Sequence, residues 1–142
     1  MPLFSHNYPQ CMIKKDMDEI NSGFSKHIGG LHVKKINDSN YEFYVEVKDI
    51  HLNSAKMAHG GFLCSIADTG MGNAAHTVAN NKRCVTISLD MKFVSAATLG
   101  QKLSGKVKIQ KKTKSLVFLT CELMADNKIA ATASGIWKII KK

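Results

Sequence analysis

The sequence predicts an α+β domain, one long helix lying against a six-stranded, largely antiparallel sheet. Three observations carry this. A stretch beginning with His59-Gly60-Gly61 runs on as about 19 residues of helical, small-residue-rich sequence. Two strand candidates precede it, and four more follow with no helical pattern between them. No internal repeat, linker or low-complexity segment interrupts the 142 residues, so residues 1–142 read as a single domain with room for a real core.

In chain order, Ile13, Met17, Ile20 and Phe24 recur at helical spacing. They predict a short amphipathic helix over about residues 12–24, with Gly23 near its stop. Ile28 to Ile36 is a strand with Gly29-Gly30 bending its start, and Asn37-Asp38-Ser39-Asn40 is a turn by composition. Tyr41, Phe43, Val45 and Val47 alternate with Glu42 and Glu46, completing a hairpin with one wet face. The long helix spans roughly residues 61–79 and ends at Asn80-Asn81. Each internal glycine weakens a helix by about 1 kcal/mol against alanine. Gly70 and Gly72 therefore mark a close backbone approach, most simply to a sheet wrapped around the helix. Arg83 to Val94 follows, with Val85, Ile87, Leu89, Met91 and Phe93 on one side. Lys102 to Lys111 alternates again. Leu116 to Ala125, nearly all apolar, is a central strand, and Ile129 to Ile140 closes the sheet after an Asp126-Asn127 turn.

Composition narrows the function classes. Hydrophobic content of 44% and charged content of 22% are those of an ordinary soluble domain. No apolar run reaches the roughly 18 residues a membrane span requires, and no apolar leader is present. Cys11, Cys64, Cys84 and Cys121 form no C-x-x-C pair, so neither a disulfide framework nor a zinc site is expected, and the compartment reads as cytoplasmic. His51, His59, Asp68 and His76 have no metal-ligand spacing. The net charge of +9 fits a polyanion, a phosphorylated small molecule or a merely solvated basic face. No RNA-binding aromatic signature or zinc-finger spacing accompanies it, and nucleic acid is not an expected partner.

The chemistry concentrates in Asn53 to Asp68. Two glycines at a helix start let backbone approach a ligand, and first-turn N–H groups lack intrahelical partners. With the helix dipole they make a site for an anion, or for a carbonyl oxygen that becomes one. Asp68 lies about two turns in, among Phe62, Leu63, Ile66, Ala67 and Met71. An acid on an apolar face belongs to an ion pair or a functional cleft. Ser65 lacks the Gly-x-Ser-x-Gly elbow of a serine hydrolase, and Cys64 has no nearby cation to make it a nucleophile.

The spacing Asn53-x5-His59-Gly60-Gly61-x6-Asp68, in this order of elements, resembles the hotdog-fold acyl-CoA thioesterases of the phenylacetic-acid-degradation (PaaI-like) subfamily. The resemblance covers about Phe24 to Ile139, with one specific block. It implies a sheet wrapped around the helix, hydrolysis of an acyl-CoA thioester, no cofactor beyond the coenzyme A of the substrate, and a homodimer or homotetramer with sites between subunits. It implies that the Gly60 N–H polarises the carbonyl, that Asn53 holds the carbonyl or the water, and that Asp68 is general base or nucleophile. Thr86, where relatives carry serine or threonine, assists the water. His59, a loop-orienting hydrogen-bonder and not the base, and Gly61 bind the substrate, and Lys111, Lys112 and Lys114 face the coenzyme A phosphates. The ordinary readings stand beside these: an asparagine capping its own turn, an outward strand threonine, a solvated lysine turn. Relatives often carry proline where this chain has Ser95-Ala96-Ala97, a difference confined to a turn. A non-catalytic acyl-CoA or polyanion binder is the alternative. A dehydratase is disfavoured by the lack of proline before the helix. The acyl group is not legible.

Overall fold

The computed structural model describes residues 20–141. It comprises α1 (Gly23–His27), β1 (His32–Lys35), β2 (Asn40–Glu46), a 3-10 turn (Asp49–His51), α2 (Gly60–Val78), β3 (Cys84–Phe93), β4 (Lys102–Lys112), β5 (Leu116–Ala125) and β6 (Lys128–Ile139). The strands form one sheet in the order β1-β2-β4-β5-β6-β3, and every neighbouring pair is antiparallel. α2 packs against this sheet, touching β2, β3, β4, β5 and β6. β5 lies inside the sheet, as its apolar sequence predicts, and β1 and β3 are the edges.

The expected helix over residues 12–24 falls mostly outside the described residues. Within them, Gly23 does not stop a helix. It has φ of +54° and begins the five-residue α1, and Phe24 is exposed. β1 is shorter than expected because Gly29 and Gly30 both adopt positive φ, turning the chain before the strand begins. The Asn21 side chain holds that turn from both sides, accepting from the Leu31 N–H at 2.7 Å and donating to the Leu31 carbonyl at 3.0 Å.

The two internal glycines of α2 answer to two different neighbours. A Cβ on Gly70 would lie 2.2 Å from the Phe43 ring, and one on Gly105 of β4 would lie 2.1 Å from the same ring. Phe43 is thus wedged between helix and sheet, and both surfaces must be bare to admit it. Gly72 faces Trp137 of β6 instead. Asn80 and Asn81 both take positive φ and end the helix.

One strand departs from the expected pattern. β3 does not keep Val85, Ile87, Leu89, Met91 and Phe93 on a common side. Its pairing with β6 shifts between Thr86 and Ser88, leaving Ile87 as an extra, bulged residue. Before the bulge Cys84 and Thr86 face α2, opposite Ile139 and Trp137. After it Leu89 and Met91 do, opposite Gly135 and Ala133. Val85 and Ile87 are exposed.

Candidate active site

The loop before α2 is built by its own side chains. Asn53 Oδ1 accepts from the Ala55 N–H at 2.9 Å and the Met57 N–H at 3.1 Å, closing a tight turn through Lys56 at φ of +63°. The ordinary asparagine role is therefore filled, and only the amide NH2 of Asn53 is left for a ligand. Short bridges, Leu52 to Ala58 and Met57 to Thr98, tie the loop to the turn that precedes β4.

His59 is the N-cap. Its Nδ1 accepts the Gly61 N–H at 2.8 Å, and its own N–H donates to the His51 carbonyl at 2.7 Å. The next two N–H groups, of Phe62 and Leu63, donate to the His59 carbonyl. Gly61 thus offers a ligand no N–H of its own. Among the described residues the Gly60 N–H is the first-turn donor without a protein acceptor. It sits where the dipole of a 19-residue helix is most positive. The Phe93 ring covers its Cα, 3.3 Å from where a Cβ would stand, and Phe93 is 57% exposed.

Beneath this loop lies a histidine for which the sequence carries no structural signal. His51 is 2% exposed and stacks on Phe62, with ring centroids 3.7 Å apart. Its Nδ1 accepts the Lys48 N–H at 2.9 Å and its Nε2 donates to the Ile28 carbonyl at 2.6 Å, so the neutral tautomer is fixed. Burial holds its pKa below the usual imidazole value, outweighing the Ile28 bond. His51 clamps the chain before β1 to the 3-10 turn and, through its carbonyl, to the residue preceding Gly60.

Asp68 is half-buried, and its Oδ1 accepts the Thr86 hydroxyl at 2.6 Å. No cation pairs with Asp68 among the described residues. Its second carboxylate oxygen remains open. The structure therefore brings together Asp68 and Thr86 across helix and strand, through the bulge at Ile87. It does not bring Asp68 to Gly60 within one chain, because eight residues of α2 separate them, about 12 Å at 1.5 Å per residue.

Lys111 and Lys112 end β4 and Lys114 lies in the following turn, all exposed. Lys112 shares a register row with Val117, Trp137 and Thr86, which puts this turn at the sheet end away from Gly60. The rejected nucleophiles have structural places. Ser65 Oγ donates back to the Gly61 carbonyl at 2.7 Å, and burial raises the Cys64 thiol pKa. Among the described residues no three His, Cys, Asp or Glu side chains converge as a metal site, and no helix is long and apolar enough to cross a membrane.

One long helix packed against a six-stranded antiparallel sheet, with an open amide at the helix start and an acid on its flank, defines a hotdog-fold protein. Residues 55–131 match the Thioesterase superfamily, and the chain belongs to that family as a thioester hydrolase. The chain is 28% identical to "Putative esterase PA0474" of Pseudomonas aeruginosa over 96 residues, which is 67% of this chain and 72% of that one. Its fold is similar to that of the Escherichia coli PaaI protein from the phenylacetic acid degradation operon, with a TM-score of 0.79 at 20% identity over 87% of this chain and 88% of that one. It is also similar to a hypothetical thioesterase from Streptococcus pneumoniae solved with coenzyme A, with a TM-score of 0.80 at 16% identity, covering 89% and 98% of the two chains.

Proposed function

We propose that this chain is an acyl-CoA thioesterase whose active site is shared between two subunits. The observation that carries the reading is the division of labour along α2. The open Gly60 N–H stands at one point and the Thr86-held Asp68 about 12 Å further on, too far apart to act on one carbonyl from a single chain. A second copy that pairs antiparallel with the first brings one subunit's Gly60 to the other's Asp68. The exposed edge strand β3, with Val85, Ile87 and Phe93 uncovered and Val94 beside them, supports such pairing.

In this reading the thioester oxygen lies on the Gly60 N–H, strengthened as negative charge develops by the helix dipole. Asp68 takes a proton from water with its open oxygen while Thr86 holds the other. The water oxygen attacks the carbonyl carbon, the C–S bond breaks, and the thiolate takes the proton back from Asp68. Losing one oxyanion donor typically raises the barrier by roughly 2.7–4 kcal/mol. The Asn53 amide and the His59 loop border the carbonyl, and the Lys111–Lys114 turn supplies positive charge for the coenzyme A phosphates. The streptococcal relative solved with coenzyme A supports that choice of thiol.

The test is thiol release from short-chain, long-chain and aryl-CoA thioesters by native protein and Asp68→Ala. Release by native protein, largely lost in a folded Asp68→Ala, is expected. Mixed dimers of Asp68→Ala with a Gly60→Pro chain, which lacks the N–H, should regain part of the activity that neither homodimer has. Thiol release undiminished in Asp68→Ala would sink the mechanism. A folded dimer that releases no thiol would favour an acyl-CoA-binding role.

A further inference from the structure

Trp137 is 1% exposed, yet its indole N–H has no hydrogen-bond acceptor among the described residues. The nitrogen is not among the sealed side-chain atoms that lack a partner, so the little of this residue that is exposed includes its N–H, which water can reach. The ring is held in a fixed attitude. Its benzo edge lies over Gly135, where a Cβ would stand 2.4 Å from Cζ3. Its Nε1 points at Gly72, 3.1 Å from where a Cβ would be. Side chains on a helix lean toward its N-terminus, so the space left open by Gly72 lies on the Asp68 side. Positions four apart on a helix stand about 5–6 Å from each other at Cβ. Thr86, which donates to Asp68, is the direct cross-strand neighbour of Trp137 on the same face. Three groups thus stand on the α2-facing side of the sheet here: the open carboxylate oxygen from α2, the hydroxyl from β3 bonded to that carboxylate, and the water-accessible N–H of the cross-strand Trp137 from β6.

We propose that Trp137 is a positioning residue for the hydrolytic water, which sits between the indole N–H and the open oxygen of Asp68. The water accepts from Trp137 Nε1 and donates one proton to Asp68, leaving its second lone pair to attack the carbonyl. Gly72 is bare because a methyl there would occupy the approach to Nε1. This assignment rests on the thioesterase reading for its kinetics, but its geometry is tested separately.

Trp137 is the one tryptophan in the chain, so a 15N-labelled dimer gives a single indole cross-peak. That peak is expected to shift when Asp68→Asn is introduced, because the shared water loses its charged acceptor. With an active thioester, Trp137→Phe should lower kcat about tenfold, the scale of one hydrogen bond, with KM within about twofold. Gly72→Ala, which leaves the tryptophan in place, should lower kcat likewise and move the same peak. An indole peak unmoved by Asp68→Asn, or native kcat in both variants, overturns the proposal while leaving the thioesterase reading intact. Should native protein release no thiol, that reading fails, and the indole response to Asp68→Asn alone decides the assignment. If Trp137→Phe does not fold, Gly72→Ala carries the kinetic arm.

Discussion

Gly70→Ala is the substitution on which helix propensity and packing disagree most sharply. Propensity favours it: alanine in a helix interior gains about 1 kcal/mol over glycine. Packing opposes it. The new Cβ would stand 2.2, 2.3 and 2.8 Å from Cδ1, Cε1 and Cγ of Phe43, where ordinary carbon contacts are about 3.5–4.0 Å. The ring would have to retreat by more than about 1 Å. It has nowhere to go, because Phe43 is 1% exposed and its far edge already touches the bare backbone of Gly105. Overpacking of this kind costs about 1–3 kcal/mol, and a ring gripped from both sides belongs at the upper end. Subtracting the propensity gain leaves a net loss of about 2 kcal/mol. With a urea m-value of about 2 kcal/mol/M, the midpoint should fall by about 1 M, measured at one fixed protein concentration. Phe43→Leu supplies the control, since it should be less harmful in the Gly70→Ala background than in the native protein. A midpoint for Gly70→Ala at or above native, or strict additivity with Phe43→Leu, would refute the wedge.

Other consequences follow from the site. Thr86→Val removes the hydroxyl bonded to Asp68 at nearly constant volume; a charge-assisted bond of about 1.5–3 kcal/mol predicts a loss of about 10- to 100-fold in kcat. Thr86→Ser should retain most of the rate, and equal rates for Thr86→Val and native protein would remove Thr86 from the mechanism. His51 makes stability depend on pH. Its folded pKa lies below the unfolded value of about 6.5, so as pH falls through that value the unfolded chain takes up the proton first. The His51 contribution is fully present above about pH 6.5 and declines below it, so native protein should lose more stability than His51→Gln between pH 7.5 and 5.5 by denaturant titration. Replacing Lys111, Lys112 and Lys114 together by alanine should raise KM for a CoA thioester several-fold. The same variant should leave KM unchanged for an N-acetylcysteamine thioester, which lacks the phosphates; an equal effect on both would place the lysines elsewhere.

What the sequence discloses and what it conceals divides along physical lines. α2 was legible nearly to the residue because both ends are marked locally, by two glycines at its start and two asparagines at its end; the His59 cap and the positive φ of both asparagines are what the structure adds. The close approach at Gly70 was legible as a need for bareness, but its cause, Phe43, lies on another element. The partners of His51, Ile28 and Lys48, and the attitude of Trp137 over Gly135 arise from tertiary packing and leave no local pattern. β3 is the instructive case. Read as an unbroken alternation, it puts Val85, Ile87, Leu89 and Met91 against the helix and turns Thr86 outward, away from Asp68. A bulge changes that parity, and it is set by pairing with β6, so no window of local sequence reports it. The consequence reaches the chemistry. With Ile87 accommodated as the extra residue, Thr86 faces inward before the bulge while Leu89 and Met91 still reach the core after it. Without that residue the strand could satisfy the core or the carboxylate, but not both, so the Asp68–Thr86 pair depends on a residue that touches neither.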